Sequence, residues 1–392
     1  MMKSATLAMF ATATVAATLG FATTAHSEPD ASPAAHGVEA PIGAVPWSQV
    51  GPGWMLAMWS PVSGRRPGEK APAGEPTYEE AATTLYLVDP AGGRYAIATF
   101  PPPGKGSTQE LIDWSGDGRR ALFASEVRDS TVLTEVDLHT GARTTFTVDG
   151  NFLSPRYSQP DGKAVLLSRS GYASKSTSLE RVDLAGHHQL TYPVGPDFHG
   201  YISRPDGTEL VVGTASGLAL MGNNGAAGKA LPIAGQTHCA PTRWWDAAST
   251  TVVARCDTTP QTQLWLVPID GGKPTALTAP NDGHKGPDYG DMTAWQLPSG
   301  TYLQAAGACG VIFLAKLNAD GTTSPVSVPH TRGSVRVIGA NGGHLELQGR
   351  AGCGGGQALL DYNPGAGSTT VLLGPSVNGG GVATAVPYPG QR

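Results

Sequence analysis

Apolar residues along this chain fall at alternate positions in short runs rich in Val, Leu, Ile and aromatic residues, and Gly, Pro, Asp and Asn bound nearly every run. No stretch longer than about ten residues keeps the i, i+3, i+4, i+7 apolar period of an amphipathic helix free of Gly or Pro. The pattern predicts an all-β chain.

The strands repeat. An apolar or aromatic strand end, a polar turn containing Gly and a β-rich strand recur at residues 112–123 (IDWSGDGRRALF), 156–167 (RYSQPDGKAVLL) and 201–212 (YISRPDGTELVV). Weaker copies stand at 244–253 (WWDAASTTVV), 295–303 (WQLPSGTYL) and 338–347 (IGANGGHLEL), and a seventh is expected at 47–56 (WSQVGPGWML). A third strand with its own stamp follows each turn: LYLVD from Leu85, LTEVD from Leu133, LERVD from Leu179, then the strands beginning at Leu218, Leu264, Ile312 and Leu359. A further turn leads to a short fourth strand, as at 144–147. Four antiparallel strands repeated every 40 to 50 residues, roughly, describe the blades of a β-propeller. Seven turns imply a seven-bladed β-propeller, with six or eight blades as alternatives, and the segment 382–388 is placed to add a strand to the first or last blade and close the ring. In the turns, an Asp side chain that caps a backbone N–H and a Gly free to take positive φ close a tight hairpin, which gives Asp117, Asp161 and Asp206 a structural role. Trp114, Tyr157, Trp244, Trp245 and Trp295 sit where blades pack on one another.

Composition agrees with a chain full of turns: 53 Gly and 32 Pro in 392 residues, with 15% charged residues. The formal net charge of −5 does not favour nucleic acid or an anionic membrane as partner. The first residues have the parts of an export signal: Lys3, an apolar run over 5–22, and small residues at Ala25, His26 and Ser27. The expected organisation is a signal peptide at 1–27, a flexible linker at 28–43 and a propeller domain over 44–392. The protein would then be secreted or extracytoplasmic, with no membrane span after cleavage, and act as a monomer.

At 158–167 (SQPDGKAVLL) and 203–212 (SRPDGTELVV) the chain resembles the WD40-like repeat of TolB-type propellers, in which Ser-Pro-Asp-Gly-Lys and an apolar strand recur in each blade. One residue separates Ser from Pro here. The resemblance spans about residues 46–373 and implies an exported bacterial propeller. It says little about function, because such propellers serve as interaction platforms, peptidase gates, lyases and lactone hydrolases. TolB's extra N-terminal domain has no counterpart in this sequence, so its Tol–Pal role is not carried over.

An exported chain with four cysteines suits two disulfides. The repeat map selects Cys239 with Cys256, which flank one hairpin turn, and Cys309 with Cys353, which fall in equivalent loops of neighbouring blades. No CxxC or HxxxH spacing accompanies them, so no metal site is expected there. No nucleophile elbow, HExxH, P-loop or opening GxGxxG is present, and no catalytic residue is assigned.

The polar connections between blades hold the candidate ligand-binding residues: Asp282, His284, Asp288 and Asp291 between blades five and six, Asp197 and His199 between blades three and four, and His238 before blade five. No cofactor is expected. Ca²⁺ is the one ion that three carboxylates so close together would suit, although the EF-hand spacing is missing. An insertion over 60–83, with Arg65, Arg66 and Lys70 followed by Glu75, Glu79 and Glu80, lengthens a loop of blade one. The sequence therefore reads as a binding protein that holds a protein, peptide or glycan on a propeller face. The alternative is a hydrolase or lyase with an Asp/His site at the channel mouth.

Overall fold

The computed structural model describes residues 34–169, 177–258, 261–281, 283 and 288–389. The signal peptide expected at 1–27 lies outside them. Seven sheets follow one another around the ring, and six have four antiparallel strands in simple meander order. The innermost strands of blades two to seven are Glu110–Trp114, Ser154–Tyr157, Tyr201–Ser203, Cys239–Trp244, Asp288–Leu297 and Ser334–Asn341.

Blade one departs from the expected hairpin at 47–56. Trp47–Gln49 forms a short 3₁₀ turn, and Met55–Ser60 is already the second strand of the blade. Its innermost partner is the C-terminal strand Gly381–Pro387, paired antiparallel from Met55 against Pro387 to Ser60 against Gly381. Closing the ring with the far end of the chain pairs an edge that would otherwise stay open. The outer side of this sheet gains a fifth strand, Glu39–Pro41, which runs parallel to Arg94–Phe100 and lies within the segment read as a linker.

The turn chemistry is as the repeat implies. Asp117 Oδ1 accepts from the Arg119 N–H at 3.1 Å, Asp161 Oδ1 from Lys163 at 3.2 Å and Asp206 Oδ1 from Thr208 at 3.0 Å. Gly207 needs both its freedoms. Its φ is +73°, and a Cβ there would lie 2.2 Å from the Gln159 carbonyl oxygen of the preceding blade's turn.

Apolar faces of adjacent blades make the core, and side chains also stitch one blade to the next. Buried Gln304, on the second strand of blade six, donates to the Val335 carbonyl at 3.0 Å and accepts the Val337 N–H at 2.7 Å, both on blade seven's innermost strand. Gln348 has the same place in blade seven and donates to the carbonyls of Val382 (2.9 Å) and Ala383 (2.6 Å) on the closing strand. Cys239 and Cys256 stand opposite each other in blade five, fully buried and disulfide-bonded as expected. Cys309 and Cys353 do occupy the loops between second and third strands of blades six and seven. The Cys309 side chain lies outside the described residues. The insertion over 60–83 is folded back, with Glu75 accepting from Ser63 and Arg65, and Glu69 held by Arg332 at 2.9 Å.

Candidate functional site

In blades two to seven each innermost strand runs from an inter-blade connection at one face of the ring to a hairpin turn at the other. The two ends carry different chemistry.

At the connection end, the structure brings together His199 and His238. Their rings meet edge to face with centroids 5.1 Å apart. Burial, followed by repulsion from His238, pulls the His199 pKa below its usual value, against the opposing pull of Asp197 and Asp257. His199 Nε2 is buried with no hydrogen-bond partner among the described residues, so neither Asp197 nor Asp257 orients the ring through that nitrogen. His238 is exposed and holds a left-handed backbone at φ +48°. Asp291 is buried at the start of blade six, and Asp197 is exposed. Asp282, His284 and the side chain of Asp288 lie outside the described residues. Among the described residues, no group of three or more His, Cys, Asp and Glu side chains is arranged to hold a metal ion.

At the hairpin end, the innermost strands of all seven blades line a cavity of about 910 Å³. Its rim is built from turn residues such as Pro52, Pro205, Ala247 and Gly342, and of the described candidate residues Asp197, His199, His238 and Asp291 do not line it. Five aromatic residues expected between blades also face this space: Trp114, Tyr157 and Trp295 are buried in the wall, while Trp244 and Trp245 are partly exposed to it. Trp244 donates from Nε1 to the Ser203 carbonyl of the neighbouring blade at 3.0 Å, so packing between blades and lining the channel are one role. Tyr201 joins them with its hydroxyl buried and unpartnered, and burial raises its pKa far above the usual value.

Three arginines complete the wall, and sequence reasoning passed over them. Arg156 donates to the Ile112 carbonyl of blade two. Arg243 donates to the Ala294 carbonyl of blade six at 3.4 Å and lies 4.8 Å from the centre of the Trp295 ring. Arg336 comes from blade seven. The available signal was position. Asp113, Arg156 and Arg243 each precede by two residues the N–H that closes their blade's hairpin, on Ser115, Ser158 and Trp245. Alternation along the strand turns that position toward the channel.

No helix among the described residues is long and apolar enough to cross a membrane. No family model matches the chain, and no curated protein matches it. Among solved structures it is similar to a putative TolB from Agrobacterium tumefaciens, at 14% identity over 86% of this chain and 99% of that one, with a TM-score of 0.37. An oligogalacturonate lyase from Vibrio parahaemolyticus aligns at 16% identity over 82% of this chain and 85% of that one, with a TM-score of 0.47. Prolyl oligopeptidase B from Galerina marginata aligns at 11% over 74% of this chain and 47% of its own length, with a TM-score of 0.49. The blades themselves, with the turns at 158–167 and 203–212, make this chain a seven-bladed β-propeller whose repeat resembles that of TolB.

Proposed function

We propose that this protein is an extracytoplasmic binding propeller that holds an extended peptide segment of a partner protein in the channel mouth at the hairpin end. The observation that carries the reading is the 910 Å³ cavity, roughly, walled by aromatic side chains from several blades and open to solvent at one face. Trp and Tyr offer large apolar area with little entropy to lose, which suits the capture of a flexible segment. Export is supported by the apolar run over 5–22, the small residues before position 28 and a disulfide in blade five. A hydrolase or lyase at the opposite end would rest on His199 and His238. A general base there calls for an orienting hydrogen bond, and His199 Nε2 makes none among the described residues.

The test is selection of random dodecapeptides displayed on phage against the purified protein, repeated with Thr384→Trp. Thr384 is a partly exposed wall residue, and a Trp there fills part of the channel. The reading expects peptides enriched on the native protein and lost on the variant, with unchanged circular dichroism. Enrichment that survives the filled channel, or no enrichment at all, overturns it.

A further inference from the structure

Three arginines stand at the channel mouth of a protein whose net charge is −5, beside the acids Glu110, Asp113 and Asp246. Arg156, Arg243 and Arg336 line it, and no ion pair involves any of them among the described residues. The acids of the same wall are committed elsewhere. Asp113 accepts the Trp114 N–H at 2.9 Å and, across the blade boundary, the Tyr157 N–H at 2.7 Å. Asp246 closes its own turn, accepting from Thr250 at 3.1 Å and from the Thr251 N–H at 2.8 Å. Glu110 also lines the wall and acts on Arg336 through its charge.

Arg243 is the most constrained of the three. It is stacked on Trp295, its Nε is buried without a partner, and burial pulls its pKa down to about 9, which still leaves it protonated at neutral pH. A guanidinium removed from water without a counter-charge is costly, and a bound carboxylate relieves that cost. Arg336 is exposed to the channel, yet partial desolvation by the surrounding wall and then like charge from Arg156 and Arg350 lower its pKa from the usual value, with Glu110 opposing. The remaining buried and unpartnered polar atoms of the wall, Trp114 Nε1, Trp295 Nε1 and the Tyr201 hydroxyl, are also donors. Every uncompensated group points to one ligand chemistry.

Resting on the peptide-binding reading above, we infer that the bound segment is acidic. Its carboxylates are paired by Arg156, Arg243 and Arg336, and its apolar side chains pack on Trp244 and Trp245. Guanidinium forks match carboxylates in shape as well as charge.

The experiment uses the peptides enriched by display on the full protein, synthesised with each Asp and Glu intact or replaced by Asn and Gln, and titrated by calorimetry. The expected result is enrichment of acidic residues, a loss of about tenfold or more in affinity for the amide versions, and a weaker dependence on salt for Arg156→Gln and Arg336→Gln. Both arginines are exposed to the channel, so these variants keep the fold. Arg243→Gln serves as a third variant, expected to lose affinity for acidic peptides and not for their amides. Peptides with no acidic preference, bound equally well as amides, overturn this inference and leave the binding reading standing. Tighter binding of trigalacturonate than of any peptide overturns both.

Discussion

Beside its ladder with Met55–Ser60, the closing strand is stitched to blade seven by one buried amide, which makes Gln348→Ala a sharp test of how this fold is held shut. Gln348 is 3% exposed, and its Nε2 donates to the Val382 and Ala383 carbonyls at 2.9 and 2.6 Å. Truncation removes two hydrogen bonds, each contributing about 0.5–1.5 kcal/mol net, together with the packing of the buried stem, about 1 kcal/mol. The expected loss is about 2–4 kcal/mol. With an unfolding entropy of about 2.1 cal/mol/K per residue over about 350 residues, that loss lowers Tm by about 3–6 °C. Guanidinium unfolding followed by tryptophan fluorescence measures it, with Gln261→Ala as an exposed control expected within about 0.5 kcal/mol of the native protein. Gln348→Glu, which keeps the shape and cannot donate from that position when ionised, is expected to lose at least as much. If Gln348→Ala matches the control, the closing strand is held by its ladder alone and the stitching argument fails.

Three further outcomes follow from the same physics. Cys239 and Cys256 close a loop of 17 residues, so the Cys239→Ala/Cys256→Ala protein should lose about 3 kcal/mol against the oxidised native protein in guanidinium, and reductant should move the native protein toward it. Gly207→Ala places a Cβ at φ +73° and against the Gln159 carbonyl, and a cost of about 1–3 kcal/mol is expected by the same assay, whereas alanine at Gly235, where nothing stands within 4 Å, meets only the φ penalty. Burial and the hydrogen bond to Glu39 raise the Tyr86 pKa from 10.0 to about 12. Between those values the unfolded phenol has lost its proton while the folded one keeps it. The resulting stability is complete below pH 10 and is lost as pH rises through 12, by up to about 2–3 kcal/mol, and Tyr86→Phe should flatten that part of the alkaline unfolding profile.

The blades were legible because their turns are local chemistry. An Asp that caps the N–H two residues on and a Gly at positive φ leave the same trace wherever a hairpin is built, so 112–123, 156–167 and 201–212 announced three blades without reference to the rest of the chain. Where the Asp-Gly pair is missing, as at 295–303, the third strand from Ile312 still marked the unit. The start of blade one was misread because its inner pairing, Met55 with Pro387, joins residues more than 300 positions apart, and nothing near Trp47 can encode it. The contact of His199 with His238 was legible from equivalent places in successive inter-blade connections. The arginines of the channel were not. On a strand whose other face is core, Arg156 looks like any outward polar residue, and only closure of the ring makes outward mean inward, toward a shared axis.

That geometry also explains how arginines stand at the mouth at little structural cost. The position two residues before each hairpin closure holds Asp113, Arg156 and Arg243 in blades two, three and five, and each is tied to the backbone of an adjacent blade: Asp113 to the Tyr157 N–H, Arg156 to the Ile112 carbonyl, Arg243 to the Ala294 carbonyl. One contact per side chain serves the ring. An aspartate keeps its negative charge there, with both oxygens of Asp113 accepting N–H groups. An arginine gives one of five donors to a carbonyl and keeps its charge and the remaining donors for the channel. Exchanging acid for base at this one repeat position therefore preserves the clamp between blades and changes the field at the mouth, so affinity for an acidic segment can be tuned blade by blade without disturbing the core.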